Sequence, residues 1–285
     1  MANVSSKKNR QSPVSSSRSS GSSQRNRPAI LGIWRLGDVL HSGSTTELAF
    51  AQPADAAGSP RWDYVIKRAL SGQDSEARRQ IGQYVAAASA TADPNLVPVL
   101  DASATASSPY LVMPRLEGSS MHEQMTTAPA KPLPVALWLV RQVAQALDSL
   151  HASGWIHGDI KPANVMVGSR GHVTLIDLGF AARIHTAPNH QYRGTPDFSS
   201  PESMAGDMAA IAAMDMFSLG RVLWQWLTLT EPVNQSVLEP VADLVQSLVS
   251  DDPVQRPAAS EVVKQLLRLE IETLGRHIGP SRRAA

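Results

Sequence analysis

The stretch from His157 to Asn164 constrains what this chain can fold into more than any other, because three chemically distinct groups share one turn-sized loop. Asp159 can accept a proton, Lys161 carries a charge that can bind phosphate, and Asn164 offers an amide oxygen to a metal ion. By chance, a pattern of four fixed residues at this spacing is expected in about one chain of this length in several hundred. The loop alone is therefore suggestive, and the residues after it decide.

The residues that follow this loop predict a β-hairpin. Residues 165–167 are a short apolar run, residues 168–172 supply a turn, and residues 173–176 are a second β-prone run. Because antiparallel strands place the start of the first beside the end of the second, we expect Asn164 and Asp177 to lie about 5 Å apart. Both carry the hard oxygen ligands that Mg²⁺ prefers. The spacing therefore predicts a magnesium site and points to phosphoryl transfer.

Several motifs carry a resemblance to a known family. Asp177-Leu178-Gly179 resembles the D-F-G motif of protein kinases, with Leu in place of Phe, and residues 155–179 resemble their catalytic and metal-binding loops throughout. The motifs that follow in the order of that family are Gly194-Thr195-Pro196, Ser200-Pro201-Glu202, residues 215–220 and Arg256-Pro257. The chain thus resembles Ser/Thr protein kinases, of the eukaryotic-like type found in bacteria, over roughly residues 33–270.

The resemblance implies an α+β, bilobal fold with a small β-rich N-lobe and a larger helical C-lobe. We expect the N-lobe at residues 29–116, the C-lobe at 117–275 and a short tail at 276–285. Residues 1–28 contain ten Ser, six Lys or Arg and no carboxylate, so they cannot bury enough apolar surface to offset chain entropy. This basic segment is predicted to be a disordered tail.

Composition limits the partners and the location. Removing the six positive charges of residues 1–28 from the formal net charge of +1 leaves −5, so the rest of the chain has no nucleic-acid signature. The absence of cysteine excludes disulfides and thiolate zinc sites and fits a reducing cytosol. No apolar run reaches 18 residues, so we expect no membrane span and a cytoplasmic protein, although the Arg- and Ser-rich start also resembles an organellar transit peptide.

The resemblance implies an ATP-binding site in the N-lobe. Residues 40–48 stand where the family carries L-G-x-G-x-x-G-x-V, with Leu40, Gly43 and Leu48 as the matching residues. Only one of the three family glycines is present, which predicts a stiffer or more distant cover over the phosphates. Lys67, in a Tyr-Val-Ile-Lys run that matches V-A-I-K, is implied to bind the α- and β-phosphates of ATP.

Residues 110–118 match the strand and hinge between the two lobes. In that match Met113 is the gatekeeper beside the adenine, and Leu116 donates its amide to it. Pro114 lacks an N–H but keeps the carbonyl that the hinge uses, so the proline is chemically tolerable.

The Glu that pairs with the family's strand Lys has no clear match. It is expected about fifteen to nineteen residues beyond Lys67, where Gln83 and Tyr84 stand on a helix predicted over residues 75–90. Gln83 could hydrogen-bond this lysine but not neutralise it, and Glu76 would reach it only by a register shift. Both arrangements stay open, and absence of the ion pair is favoured.

The resemblance assigns the catalytic roles in the C-lobe. A helix predicted over residues 134–152 delivers the loop, in which Asp159 accepts or orients the substrate hydroxyl proton and Lys161 neutralises the transferred phosphoryl group. Asn164 and Asp177 hold Mg²⁺. Lys161 together with Thr195 is the pairing of enzymes that modify Ser or Thr.

Three further residues are implied to be structural. Asp215, on an apolar helix predicted over residues 211–227, is expected to brace the backbone of the catalytic loop, and Glu202 is expected to pair with Arg256. The chain between Asp215 and Arg256 is shorter than the family norm by roughly a helix and its loops. Because that segment usually docks substrates, we expect narrow recognition, or a separate sensor or docking protein.

Gly158 stands where many kinases carry the Arg that binds a phosphorylated activation loop. We therefore expect no requirement for a loop phosphate, although Thr186 and Tyr192 lie in that loop and could be modified.

Three functions are compatible with these residues. The leading hypothesis is a Ser/Thr protein kinase that uses ATP and Mg²⁺ on protein substrates, because every chemical group that the reaction needs is present. The second is a pseudokinase, a nucleotide-binding or scaffold module in which the degraded glycine loop and the missing Glu have abolished transfer. The third is a small-molecule kinase of the aminoglycoside phosphotransferase type, against which Lys161, Glu202 and Arg256 argue.

Overall fold

The computed structural model describes residues 29–56, 58–188, 192 and 194–278, with side chains described as far as residue 275. The predicted disordered tail at residues 1–28 lies outside these ranges, as do residues 279–285. The α+β, two-lobed arrangement predicted from the sequence is confirmed.

The N-lobe is built on one antiparallel sheet. Its strands are β1 (Ile30–Leu31), β2 (Trp34–Ser42), β3 (Thr46–Pro53), β4 (Tyr64–Ala69), β5 (Asp101–Ser103) and β6 (Tyr110–Pro114), in the order β1-β2-β3-β4-β6-β5. Alternate residues of β2 and β3 point inward, so that Trp34, Leu36 and Ala51 form a small core with Ile66. The sheet therefore places Lys67 of β4 beside Leu111 of β6 in the middle of the lobe.

Helix α1 (Asp74–Ala90) is the one long helix of the N-lobe among the described residues, and it matches the helix predicted over residues 75–90. Its buried face is formed by Ala77, Gln80, Ile81, Tyr84 and Ala87. These positions recur at intervals of three and four, as a helix that packs on one side requires. A glutamine at the centre of an otherwise apolar face is unusual, and this one packs close to Gly179.

The C-lobe is mainly helical. Its helices are α2 (Met121–Thr127), α3 (Leu133–Ala152), α4 (Pro201–Ala205), α5 (Ala212–Leu227), α6 (Gln235–Leu248) and α7 (Ala259–Ile278). Helix α3 packs against both α5 and α7. Its Leu137, Val140 and Leu147 have no exposed surface, which explains why this helix is apolar on most sides. The helices predicted over residues 134–152 and 211–227 are confirmed to within one residue at each end.

Short strands carry the loops at the top of the C-lobe. They are β7 (Ser119–Ser120), β8 (Trp155–Ile156), β9 (Val165–Val167), β10 (Val173–Leu175) and β11 (Ala182–Arg183). The predicted hairpin is confirmed, because β9 pairs antiparallel with β10 and Val165 lies opposite Leu175. The pairing continues one step further, where the Ile176 N–H donates to the Asn164 carbonyl (2.9 Å).

Residues 228–234 join α5 to α6. The shortening of this region relative to the family, expected from the sequence, stays a prediction. At the other end, α7 continues to Ile278, beyond residue 275 where the C-lobe was expected to end. Gly275 does not stop the helix, since a glycine inside a helix costs only about 1 kcal/mol. Across the described ranges, none of the helices combines the length and hydropathy needed to cross a bilayer.

Glu202 and Arg256 form a buried ion pair that joins the start of α4 to the segment before α7. The two guanidinium nitrogens Nη1 and Nη2 donate to Oε1 (2.5 Å) and Oε2 (3.0 Å) of the carboxylate. Arg256 also donates to the carbonyls of Ser250 and Ala213 (2.9 Å each). Burial alone would raise the pKa of Glu202, but the bonds from Arg256 outweigh it and hold this pKa below its ordinary value.

Replacing Arg256 by Ala should lower the free energy of unfolding by about 3–5 kcal/mol, because it leaves a buried carboxylate without its partner. Urea unfolding at neutral pH measures this loss. Because the pKa of Glu202 is depressed in the folded state, the pair stabilises the protein above the unfolded-state pKa, and this contribution is lost as pH falls through the folded-state pKa. The wild type should therefore approach the variant in acid.

Arg268→Ala is the matched control, since Arg268 pairs with Glu272 on the exposed surface of α7. Such a pair contributes about 1 kcal/mol or less. Equal losses in the two variants would contradict the assignment of Arg256 to a buried, stabilising pair.

Candidate active site

The catalytic loop lies between β8 and a short 3₁₀ turn at Pro162–Asn164. Within it, the Asp159 carboxylate accepts from Asn164 Nδ2 (2.9 Å), lies 2.7 Å from Lys161 Nζ, and accepts from the Thr195 hydroxyl (3.0 Å). Lys161 Nζ also donates to Thr195 Oγ1 (2.8 Å). The four side chains thus form one connected cluster. Asp159 itself is only 6% exposed, so its carboxylate is held in one orientation.

His157 fixes the turn that carries Asp159. This histidine is completely buried, and its Nδ1 accepts from the Asp159 N–H (3.2 Å) while its Nε2 lies 3.0 Å from the Ile176 carbonyl. Since Nδ1 must be unprotonated to accept from an amide, Nε2 carries the hydrogen and donates it. The imidazole therefore ties the catalytic loop to the end of the β9–β10 hairpin.

Asp215 supports the same loop from below. Its carboxylate accepts from the backbone N–H groups of His157 (2.7 Å) and Gly158 (2.9 Å), and it lies 2.9 Å from His151 Nε2. Burial would raise the pKa of Asp215, but the bond from His151 and the neighbouring imidazole outweigh it and keep this pKa below its ordinary value. The geometry agrees with the bracing role that the sequence predicted.

Asp177 faces the loop from the far end of the hairpin. Its backbone lies in the left-handed region (φ 67°), which few residues other than Gly adopt. Its Oδ1 accepts from Lys67 Nζ at 2.5 Å and from the Gly179 N–H at 3.3 Å. Burial would raise the pKa of Asp177, but the adjacent Lys67 ammonium lowers it more, so the carboxylate stays charged.

Asn164 is positioned to share a cation with Asp177. Its amide nitrogen is committed to the carbonyl and carboxylate of Asp159 (2.9 Å each). Within the described part of the chain, no hydrogen bond engages its amide oxygen. The separation of about 5 Å expected from Asn164 to Asp177 stays a prediction, although the Ile176–Asn164 backbone bond supports it.

The cleft between the lobes has a volume of about 630 Å³. Of the residues predicted to bind ATP, those that line it are Leu40, Leu48, Lys67, Met113 and Leu116. Lys161, Asn164 and Asp177 line its floor. Gly43 instead lies at the tip of the β2–β3 turn, where its N–H donates to the Thr46 carbonyl (2.9 Å). Five of the six residues predicted to bind ATP therefore line one cavity.

The outer edge of this cleft is the segment that follows β6. Arg115 donates its backbone N–H to the Asp63 carbonyl (2.8 Å), and its guanidinium lies 4.7 Å from the centre of the Phe50 ring. Phe50 also lines the cleft, although the sequence did not single it out. The hinge is thus held to β3 and β4 at the point where the lobes meet.

Of the two α1 residues expected near Lys67, Tyr84 lies close to this lysine, with its ring centre 5.9 Å from Nζ, and Gln83 does not. Gln83 lies away from this lysine, because its Oε1 accepts from Arg79 Nη1 (2.5 Å), an arginine that is also paired with Glu76. The glutamine on the buried face of α1 is Gln80 instead. A Cβ placed on Gly179 would lie 3.6 Å from Lys67 Nζ and 3.9 Å from Gln80 Cβ.

The signal for this glutamine was available in the sequence but was not used. Spacing from Lys67 suggested residues 82–86, a range in which the helical periodicity places Tyr84 on the buried face, and the same periodicity places Gln80 on that face one turn earlier. The ion pair that Lys67 forms is with Asp177.

Gly158 has φ +78°, and a Cβ there would lie 2.6 Å from the Phe180 carbonyl oxygen. Only a glycine fits this combination of backbone angle and close approach. The position therefore has no room for an arginine. The absence of a requirement for a loop phosphate stays a prediction.

With this geometry in view, the comparisons with known proteins identify the class. The model of the protein kinase domain matches residues 61–239, which is more than half of the chain. The chain belongs to the protein kinase family, and the bilobal kinase fold predicted from the sequence is confirmed.

Among its relatives are serine/threonine-protein kinases of bacteria. The chain is 30% identical over 238 residues to PknB of Mycobacterium leprae, covering 80% of this chain and 37% of that protein. It is 29% identical over 211 residues to PkaA of Streptomyces coelicolor, covering 65% and 38%. A more distant relative is cAMP-dependent protein kinase type 3 of Saccharomyces cerevisiae, 27% identical over 170 residues, with 58% and 42% covered. The chain therefore spans less than half the length of each of these relatives.

Asp215→Asn should disturb the catalytic loop more than the fold as a whole. The amide keeps one oxygen for a backbone N–H but turns an NH₂ group toward the other donor or toward His151, which leaves a buried donor unpaired. We expect the free energy of unfolding to fall by about 1–3 kcal/mol and the phosphoryl-transfer rate to fall about tenfold or more. Chemical denaturation and single-turnover assays measure the two effects, and exposed Asp243→Asn is the control. An unchanged rate would contradict the bracing role.

Proposed function

We propose that this chain is a Ser/Thr protein kinase that transfers the γ-phosphate of ATP to hydroxyl groups of protein substrates. The single observation that carries the proposal is the cluster in which the Asp159 carboxylate contacts Lys161, Asn164 and Thr195, beside the Lys67–Asp177 pair. These are a proton acceptor, two cations and two metal ligands around one cleft, which is the set that phosphoryl transfer needs.

ATP fits the cleft as the phosphate donor. The cavity of about 630 Å³ is mainly apolar, with Leu48, Met113 and Leu116 where an adenine would lie and Lys67 deeper inside. The Leu116 amide and the Pro114 carbonyl are the hinge groups proposed to bind the base. Lys67 is proposed to bind the α- and β-phosphates, because it is the most buried of the cations lining the cleft among the described residues.

Asn164 and Asp177 are the residues proposed to hold Mg²⁺. Their oxygens are of the kind that this ion prefers, and the carboxylate of Asp177 stays charged beside Lys67. When bound, the ion would neutralise charge on the phosphates. The fit is supported by the uncommitted amide oxygen of Asn164 in the described part of the chain and by the left-handed backbone that turns Asp177 toward the cleft.

The transfer itself relies on position and charge. The acceptor oxygen attacks the γ-phosphorus in line, the bond from phosphorus to the β-bridging oxygen breaks, and ADP leaves. Asp159 takes the proton of the hydroxyl, and Lys161 neutralises the charge that develops on the transferred group. Thr195, which contacts both side chains, is proposed to help orient a Ser or Thr acceptor.

The remaining features of the proposal concern partners and location. Protein substrates follow from the family, and the short 228–234 connection favours narrow recognition or help from a separate sensor or docking protein. A nucleic-acid partner is not expected from the charge. The cytoplasmic location stays a prediction. Within the described ranges no observation favours the pseudokinase over an active enzyme, since Lys67 pairs with Asp177 and the Asp159 carboxylate contacts Lys161.

Asp159→Asn should abolish transfer while sparing nucleotide binding, because the amide cannot accept the hydroxyl proton and Asp159 does not line the adenine part of the cleft. The measurement is transfer of labelled γ-phosphate from Mg-ATP to the protein itself and to a generic substrate, followed by phosphoamino-acid analysis. Label should appear on Ser or Thr and fall at least about a hundredfold in the variant. Exposed Asp251→Asn should retain the wild-type rate. Full activity in Asp159→Asn would refute the assignment.

Asp177→Asn should remove the effect of Mg²⁺ on nucleotide affinity. Calorimetric titration with ATP in the presence and absence of Mg²⁺ measures it, and the wild type should bind more tightly with the ion. The variant should bind with about the same affinity in both conditions, because one charged oxygen ligand is lost. An undiminished Mg²⁺ effect would place the ion elsewhere.

A further inference from the structure

The buried face of α1 carries an amide, that of Gln80, one helical turn before Tyr84, which lines the cleft beside Lys67. Gln80 is 9% exposed, and both ends of its side chain are hydrogen-bonded. Its Oε1 accepts from the Thr45 hydroxyl (3.1 Å), and its Nε2 donates to Glu76 Oε1 (3.2 Å). A buried glutamine whose amide is hydrogen-bonded at both ends is held in one orientation, so it has a structural role that a glutamate at this position could not fill in the same way.

The bond from Thr45 joins two parts of the N-lobe that are separate in sequence. Thr45 lies in the turn between β2 and β3, the turn proposed to cover the phosphates of ATP, and its carbonyl accepts from the Leu70 N–H (2.9 Å). The turn is therefore attached both to the end of β4 and, through Gln80, to α1. Movement of the turn is coupled to the helix that packs beside Lys67.

The other end of Gln80 is oriented by charge. Glu76 accepts from Gln80 and is also bonded to the Arg79 guanidinium through Nε (2.9 Å) and Nη2 (2.5 Å). A carboxylate accepts and cannot donate, so it determines which end of the Gln80 amide faces it. The Nε2 group must point to Glu76, and the Oε1 group is thereby left for Thr45.

Tyr84, one helical turn after Gln80, lies behind Lys67. Its ring is almost completely buried, with the ring centre 5.9 Å from Lys67 Nζ, and its hydroxyl lies 3.9 Å from the Met113 sulfur. A ring face at this distance attracts an ammonium group. Lys67 is therefore held by Asp177 on one side and by the face of Tyr84 on another.

We propose that Gln80 and Tyr84 are positioning residues that hold Lys67 and the phosphate-covering turn without a helix carboxylate, through the Thr45–Gln80 hydrogen bond and the Tyr84 ring. The inference rests on the proposed function of the cleft, since it assigns Lys67 to the phosphates. It assigns a positioning role to Gln80, the polar residue on the buried face of α1. In this arrangement the usual Lys–Glu pair is replaced by an amide link and an aromatic face.

The arrangement makes a counter-intuitive forecast for Gln80→Glu. A carboxylate at residue 80 cannot donate to Glu76 and would place two like charges where a hydrogen bond now stands. It would also compete with Asp177 for Lys67, and so draw the cation from the metal ligand beside it. A glutamate at residue 80 should therefore weaken the enzyme, although a helix glutamate is what the family usually carries.

The decisive experiment measures kcat and the KM for ATP, together with the affinity for a non-hydrolysable Mg-ATP analogue, in a small set of variants. Gln80→Glu should raise the KM and the dissociation constant about tenfold or more. The control is Gln235→Glu, an exposed glutamine that also donates to a glutamate, Glu239 (2.9 Å), and it should change neither value. Activity of Gln80→Glu equal to or above that of the wild type would overturn the proposal.

The hydrogen bond and the ring are tested separately. Thr45→Val should raise the KM for ATP about threefold to tenfold with a smaller change in kcat, and Thr45→Ser, which keeps the hydroxyl, should recover most of the loss. Tyr84→Leu should weaken analogue binding by a similar factor, and Tyr84→Phe, which keeps the ring, should recover it. Unequal melting temperatures with equal KM values would indicate a purely structural role and contradict the proposal.

The readouts distinguish failure of this inference from failure of the proposed function. If the wild type transfers no phosphate, and matches Asp159→Asn in that respect, the kinase assignment fails, but the affinity for the analogue still reports on Lys67. Loss of analogue affinity in Gln80→Glu and Thr45→Val would then support the inference alone. Unchanged affinity in both variants would reject it whatever the wild-type rate.

Discussion

The candidate active site depends on one buried carboxylate that does not line the cleft. Asp215 accepts two consecutive backbone N–H groups, from His157 and Gly158, and so fixes the turn on which Asp159 stands. Each bond to a charged acceptor contributes more than a neutral one, and here both lie where water cannot replace them. The loop is irregular and would otherwise leave these donors unpaired. A helix in the middle of the C-lobe core thereby sets the position of the Asp159 side chain in the catalytic loop.

The same principle extends through the hairpin to the other lobe. His157 connects the loop to the Ile176 carbonyl, and Asp177 follows at once with its ion pair to Lys67. From Lys67 the network reaches the N-lobe sheet, and α1 packs over it. These links are buried or partly buried, so the geometry of the cleft depends on a few hydrogen bonds that cross between elements distant in sequence. Removing one of these hydrogen bonds should therefore weaken its neighbours in the network as well.

What the sequence predicted well was local. The hairpin, the 3.6-residue periodicity of α3 and α5 and the order of polar residues in the catalytic loop all follow from neighbouring residues, and these are present in the structure. Gln80 was missed because distance along the chain from Lys67 does not say how α1, whose start was predicted to within one residue, is rotated about its axis. That rotation is decided by burial of Ile81 and Tyr84 against the rest of the core, which is a property of the assembled fold.

The rear wall of the cleft, formed by Tyr84 and Met113, also affects how a synthetic inhibitor could bind. Tyr84 fills the space behind Met113 with a buried ring whose hydroxyl faces the methionine sulfur, and burial raises the pKa of that hydroxyl, so it stays neutral. A synthetic inhibitor confined to the adenine region would leave this wall intact. An inhibitor that extended past Met113 would have to displace the Tyr84 ring from Lys67. A smaller residue at position 84 would leave space there for such an inhibitor, and Tyr84 does not.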